Sequence, residues 1–301
     1  MLAELTHTLT YRYDKPVNLG EHRLCLKPRG QGHQRLLEHK LIVSPNPLHH
    51  HALVAASGDE IHRIRFQGTT DQLCIEAQSK VETLPAAPLE ECFSKLDPPL
   101  PYPRGHLNRD LHGSLEGWLP NGQHDPSAIA LTQDALMGEN QQVLPFLIQL
   151  METIQDRVKY TERHLGPAWP AGRTLRERVG SCRDLAMLMI ECCRSVGLPA
   201  RFTSGYQLID PAPAVYDLHA WTEVYLPGAG WRGFDPSSGK EISERYIVLA
   251  SSSKPELTAA VSGSFNGPPK TSSELNWTIK ADIEELNPKS RETQFQANQA
   301  A

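Results

Sequence analysis

Over the first 85 residues hydrophobic and polar side chains alternate in short runs, the period-two pattern of strands that bury one face. The runs are Leu5–Tyr13, His22–Lys27, His39–Val43, Arg63–Phe66 and Leu73–Val81. Turn-forming residues part them, as in Pro28-Arg29-Gly30 and Ser44-Pro45-Asn46-Pro47. Short strands at this spacing predict a small β-sandwich-like or barrel-like domain over residues 1–85. Residues 86–126 lose the periodicity and carry Pro88, Pro98, Pro99, Pro101, Pro103, Pro120 and Pro126. They read as a Pro-rich connection between domains.

From residue 127 to 165 the period becomes helical, with Val143, Phe146, Leu147, Leu150 and Ile154 on one face. The clearest helix is predicted within 175–197, where Leu185, Leu188, Met189, Cys192 and Val196 recur at helical spacing. Ser181 is its N-cap, Asp184 completes a capping-box-like pair, and Gly197-Leu198-Pro199 stops it. Arg201–Gln207 and Leu218–Leu226 alternate again, and a turn at Pro227-Gly228-Ala229-Gly230 leads into Trp231–Asp235. The last two segments predict a β-hairpin. Residues 127–250 therefore read as one core in which a helical part packs on antiparallel strands. Residues 251–274 are rich in Ser, Pro and Gly, 275–283 reads as one more strand, and a polar, disordered tail is expected from Asn287 to residue 301. The expected class is α+β.

Composition narrows the functions available. The 301 residues are 39% hydrophobic and 22% charged, which is globular, and the chain is long enough to bury a core without staples. A net charge of −5 with no basic run argues against a nucleic-acid partner. No apolar run approaches the ~18 residues of a membrane span, so no membrane partner is expected. Met1-Leu2-Ala3-Glu4 has neither the basic nor the apolar stretch of a secretory signal, and a cytoplasmic location is expected. In such a chain the six cysteines read as free thiols, and no C-x-x-C pair occurs. His49-His50-His51 with His62 is the nearest thing to a metal cluster, but consecutive side chains diverge and nothing completes a site. Neither a metal nor a cofactor is expected.

Cys182 changes the picture. It follows the cap directly, where the helix dipole favours a thiolate and first-turn N–H groups can stabilise an oxyanion. A thiol nucleophile needs a base that titrates near neutrality. His219 opens a strand on whose mixed face Trp221, Glu223 and Tyr225 follow, while Leu218, Ala220, Thr222, Val224 and Leu226 form the core face. The second ring nitrogen of that histidine needs an acceptor, and Asp235, at the end of the next strand, is the candidate. Mirror pairing about the 227–230 turn sets His219 opposite Ser238, so the contact needs a bulge near Gly233 or a diagonal approach. Together the three meet the logic of nucleophile, base and orienter. Trp169, Tyr206 and Trp221 are candidates for walls of a substrate cleft, Trp169 also for an oxyanion-hole donor, with packing as the alternative for each. Arg183 and Asp184 read as structural, and Cys192-Cys193 as buried thiols.

These residues also resemble a known family. Gly180-Ser181-Cys182-Arg183-Asp184, His219-Ala220-Trp221-Thr222-Glu223-Val224-Tyr225 and Gly230-Trp231-Arg232-Gly233-Phe234-Asp235-Pro236-Ser237 are similar to the three core motifs of the transglutaminase-like superfamily. Its members are papain-like thiol enzymes with a Cys–His–Asp triad in that chain order. Residues 197–206 resemble the family's passage from helix to strand. Tyr11-Arg12-Tyr13, Gly20-Glu21-His22-Arg23-Leu24 and Lys27-Pro28-Arg29 resemble the β-rich N-terminal region of bacterial members. Ser237 stands where members often have Thr. The resemblance implies a papain-like core with Cys182 as nucleophile, His219 as base and Asp235 as its orienter. The substrate would be a peptide or amide, attacked to give a thioester. Hydrolysis is the favoured outcome; amide transfer and a catalytically silent peptide-binding or assembly module are the alternatives. The intact triad argues against the silent module.

Overall fold

Strand β1 (Leu2–Leu19) sends Ala3, Leu5, His7 and Leu9 inward in strict alternation, and that row sets the plane of the first sheet. It belongs to a computed structural model that describes residues 1–85, 88, 89, 100, 115–119, 123–136, 142–209 and 216–286. Most of the expected 86–126 connection, and the whole of the expected tail from Asn287, lie outside the described residues. The other N-terminal strands are β2 (His22–Leu24), β3 (Gln34–Ser44), β4 (His49–Val54), β5 (Glu60–Arg65) and β6 (Thr69–Thr83). The core contributes α1 (Pro126–Ala135), α2 (Val143–Arg157), β7 (Lys159–Tyr160), α3 (Ala171–Glu177), β8 (Val179–Gly180) and α4 (Cys182–Ser195). It continues with β9 (Ala200–Gln207), β10 (Leu218–Leu226), β11 (Gly230–Asp235), β12 (Lys240–Glu241) and β13 (Tyr246–Ser252). Then follow β14 (Val261–Ser262), β15 (Phe265–Asn266) and β16 (Ser273–Glu284). The class is α+β. Among the described residues no helix is long and apolar enough to cross a membrane.

The N-terminal strands make a sandwich. One sheet runs β3-β6-β1, and β15 and β16 share the far edge of β1. The second runs β14-β2-β5-β4. Leu9, Val17, Leu73 and Ile75 of the first meet Leu24 and Ile64 of the second in a dry interior. The strand expected at 275–283 is longer, and it pairs with β1 from Leu2↔Glu284 to Tyr13↔Ser273. Residues 261–284 thus complete both sheets of a sandwich that the chain begins at Leu2.

The core is a five-stranded antiparallel sheet of order β12-β11-β10-β9-β13. Helix α4 lies on one face, where Thr222 of β10 donates to the Ala186 carbonyl at 3.0 Å. The opposite face meets the sandwich: Tyr206, Ile247 and Leu249 pack with Met1, Leu5, Val81 and Ile279. Both faces are therefore buried, which is why β13 is buried at every residue and shows no alternation. The predicted helical stretch 175–197 is two helices; Arg178, at φ 55°, ends α3, and α4 starts four residues later at Cys182.

A charged cluster sits in the seam. Glu223 of β10 accepts from Arg29 at 3.0 Å, Arg201 at 2.7 Å, Thr203 at 3.0 Å and Ser251 at 2.9 Å. Arg29 also binds Asp59 at 2.8 Å, and Asp59 accepts from the Ser251 amide at 2.7 Å. Burial would raise the Glu223 carboxyl, but the two guanidiniums and the hydroxyls hold it far below its ordinary value.

Histidines bond to one another and to hydroxyls in the seam and the sandwich. His7 meets the Tyr206 hydroxyl at 3.0 Å, His39 meets Ser79 at 2.9 Å, and His50 meets His62 at 2.7 Å. His49 and His51 share one side of β4 and stack there, while His50 between them points to the other side, so the three consecutive rings diverge. Burial pushes His7 and His39 from 6.5 down to about 4 and lowers His22 and His62 as well. The unfolded chain binds protons near pH 6.5 that these buried rings refuse. Stability is then fully present above that pH and is lost as pH falls toward about 4, by a few kcal/mol in total. Urea midpoints measured between pH 6.5 and 4.5 should fall steadily; a flat series would contradict these neutral, buried rings.

Candidate active site

The first turn of α4 is fixed by Asp184, which is fully buried. Its Oδ2 accepts from the Ser181 amide and hydroxyl, both at 2.8 Å. Its Oδ1 accepts from the Trp169 amide at 2.7 Å and from Arg163 at 2.5 Å. Burial alone would raise this carboxyl; Arg163 and the amides hold it below its ordinary value. Arg183 donates to the carbonyls of Gly166 and Arg163, so the 163–169 loop is tied to the helix tip from two sides. Trp169 is part of that brace, its ring 4.7 Å from the Arg163 guanidinium and 4.1 Å from that of Arg173.

This brace places Cys182, 9% exposed, at the start of α4 beside the second residue of β10, His219. His219 Nε2 lies 2.8 Å from Asp235 Oδ2, and the Cys182 sulfur is near enough to bear on the charge of the His219 ring. With Nε2 on the carboxylate, Nδ1 is the nitrogen left for the sulfur. The β10–β11 ladder runs without interruption from Leu226↔Gly230 to Thr222↔Phe234. Continued, it sets Asp235 level with Trp221, so His219 reaches it diagonally. The expected bulge near Gly233 is not there. Gly233 serves packing instead: a Cβ on it would stand 2.4 Å from Ile242 Cγ1 and 3.2 Å from Trp221 Nε1.

Asp235 is fully buried and saturated with donors. Its Oδ2 accepts from His219, from Ser238 Oγ at 2.9 Å and from Tyr246 Oη at 2.9 Å. Its Oδ1 accepts from the Ser237 amide at 2.9 Å and the Ser237 hydroxyl at 2.6 Å. Burial would raise Asp235, yet the bond and charge of His219 and the serine donors push it down to about 2. Burial would likewise lower His219, and it is outweighed chiefly by the bond to Asp235 and that carboxylate's charge, with the nearby Cys182 sulfur acting in the same direction, which push the ring up to about 10. These are the electrostatics of an imidazolium held between a carboxylate and a sulfur.

Two of the expected cleft residues are elsewhere. Tyr206 is fully buried, its hydroxyl on His7 and its ring in the seam with the sandwich, because that strand face turns away from α4. Trp221 is also without exposed surface. It stacks beside His219 with ring centres 6.4 Å apart and packs edge-on against Tyr246 at 5.4 Å. It supports the histidine, and it also lines a cavity of about 330 Å³ together with Glu223, Trp231 and Gly233. The open groove near the triad, about 490 Å³, is lined by Lys159, Tyr160, Arg178, Leu185, Pro236 and Ser237. Ser237, Ser238, Tyr246 and Gln207 are the polar residues that the sequence reading missed. The first had a signal, since a Ser two residues after an Asp can close an Asx-turn onto it.

Residues 3–82 match the family profile described as the bacterial transglutaminase-like N-terminal region, and residues 130–236 match the transglutaminase-like superfamily. The chain belongs to the transglutaminase-like superfamily. Uncharacterized proteins of Mycobacterium bovis and Mycobacterium tuberculosis are 27% identical to it over 261 residues, 81% of this chain and 81% of theirs. A protein-glutamine gamma-glutamyltransferase of Pseudomonas aeruginosa is 37% identical over 67 residues, which is 20% of this chain and 10% of that protein. A solved structure of a candidate cysteine protease from Cytophaga hutchinsonii superposes with a TM-score of 0.69 at 21% identity, covering 96% of this chain and 93% of that one. This transglutaminase-like chain therefore has, in general terms, the fold of a papain-like thiol enzyme.

Proposed function

We propose that the protein is a thiol enzyme that cleaves an amide or peptide bond through Cys182, His219 and Asp235. The observation that carries the reading is the His219 ring, bonded at 2.8 Å to the buried Asp235 and standing beside Cys182 at the α4 tip. In the forward step the thiolate attacks the carbonyl carbon, and backbone N–H groups at the α4 tip face the oxyanion. The imidazolium gives its proton to the departing nitrogen, the C–N bond breaks, and a thioester remains on Cys182. Neutral His219 then takes a proton from water as that water attacks, and acid release restores the thiolate–imidazolium pair. Hydrolysis is the favoured outcome, supported by the open groove that Pro236 and Ser237, the two residues after Asp235, help to line. Amide transfer is the second reading, favoured by the 67-residue stretch shared with the gamma-glutamyltransferase.

The test offers a peptide library together with a fluorescent primary amine. Free carboxylate with no label on the peptides is the expected product. Amine incorporation would replace hydrolysis by transfer. Absence of both products, with wild-type Cys182 reacting no faster than free cysteine toward iodoacetamide, would overturn the enzymatic reading.

A further inference from the structure

We propose that Tyr246 is a positioning residue for the triad: backed by Gln207, its hydroxyl holds Asp235 in place and sets how much of that carboxylate's charge reaches His219. The inference rests on the reading that His219 serves Cys182, and its test separates the two.

The geometry gives the hydroxyl one orientation. Gln207 Nε2 donates to Tyr246 Oη at 2.6 Å, and an amide N–H only donates. The phenolic hydrogen therefore points onward, to Asp235 Oδ2 at 2.9 Å, which is nearer than Ser238 Oγ at 3.5 Å. Gln207 and Tyr246 are direct cross-strand partners in the β9–β13 ladder, so the sheet itself builds this relay. The Tyr246 ring also packs 6.1 Å from the His219 ring, which limits how the imidazole can turn.

The relay is anchored from outside the core. Two residues beyond Tyr246, the Val248 amide donates to Gln34 Oε1 at 2.7 Å, and the Val248 carbonyl accepts from the Arg29 amide at 2.9 Å. Both partners belong to the N-terminal part of the chain, so the sandwich holds β13, β13 holds Tyr246, and Tyr246 holds Asp235. The titratable groups facing the His219–Asp235 pair are Cys182 from α4, Tyr160 from β7 and Tyr246 from β13. Of these, Tyr246 is the one whose hydroxyl touches the carboxylate.

Each donor on a carboxylate stabilises its charge and competes with the imidazolium for it. Tyr246→Phe keeps the ring and deletes the donor. The titration midpoint of His219, read from its labelled ring resonance and assigned with His219→Gln, should rise by roughly half a unit to one unit. Iodoacetamide alkylation of Cys182 at pH 7 should slow roughly threefold to tenfold as the imidazole loses its alignment. Gln207→Met should move the midpoint in the same direction by less. A packing role alone would leave the midpoint where it is. Folded Tyr246→Phe with an unmoved midpoint overturns the proposal; should that variant fail to fold, an unmoved midpoint in Gln207→Met does so. Wild-type Cys182 reacting like free cysteine would instead remove the proposed function, and the His219 midpoints would still decide this inference.

Discussion

His219→Ala is expected to slow alkylation of Cys182 by iodoacetamide at neutral pH by about a hundredfold, the low end of what a positioned acid–base group contributes. The reaction can be read cleanly because the other described cysteines are poor competitors. Burial pushes the Cys25 thiol up to about 11 and the Cys192 thiol up to about 12, and raises Cys193 as well. Cys74 is half-buried and Cys92 lies outside the described residues, so both are replaced by Ser in the background. In wild type the fast rate should persist as pH rises through the ordinary histidine range and change only toward about 10, where His219 gives up its proton. The sign for stability follows from the same shift. A ring raised from 6.5 to about 10 stabilises the fold fully below 6.5 and loses that contribution as pH rises toward 10. Cys182→Ala removes one sulfur from a slightly open position and should change stability by less than about 1 kcal/mol. Equal alkylation rates with and without the imidazole would mean that the sulfur and the ring do not work together.

The second large effect concerns the seam. Glu223→Gln keeps the size of the side chain and removes its charge, leaving Arg29 and Arg201 buried with Asp59 as their one remaining carboxylate in the cluster. It also turns amide hydrogens toward donors that need acceptors. Breaking a buried pair in this way costs about 3–5 kcal/mol. At this chain length that lowers the melting temperature by roughly ten degrees. Glu4→Gln is the control, because its 2.7 Å bridge to Lys80 is largely exposed. Such a surface pair contributes less than about 1 kcal/mol. If the two variants melt within a degree or two of each other, Glu223 does not carry the charge balance of the seam. Because Glu223 is held below its ordinary carboxylate value, its contribution is present above that value and fades on acidification.

What the residues disclosed in advance was the local part of the design. The α4 stripe of Leu185, Leu188, Met189 and Cys192 gave the helix, and Ser181 with Asp184 gave its start. Order along the chain was enough to nominate Cys182, His219 and Asp235. The hairpin register was off by one. The ladder closes at Leu226↔Gly230, with Gly230 at φ 71° already paired, so the turn is one residue shorter than the four-residue loop expected. Strand β13 gave no period-two signal because both its faces are covered. Tyr206 and Trp221 looked like cleft aromatics because nothing local says that the sandwich covers the far side of the sheet. The partners of Glu223 are equally invisible in sequence, since Arg29 lies 194 residues away from it and Ser251 lies 28.

The strands that finish the sandwich come last in the chain, and this makes the papain-like unit an insert within a host. During synthesis β1 and β6 emerge early, but one long side of β1 stays bare until residues 273–284 are made. The core between them has all five of its strands by residue 252. It can settle first and hold β1 close through the seam, but that side of β1 stays unpaired and invites pairing between neighbouring nascent chains. Stopping translation after β13 should therefore yield a product whose exposed N-terminal edge drives it into aggregates, even though every residue of the triad is already in place.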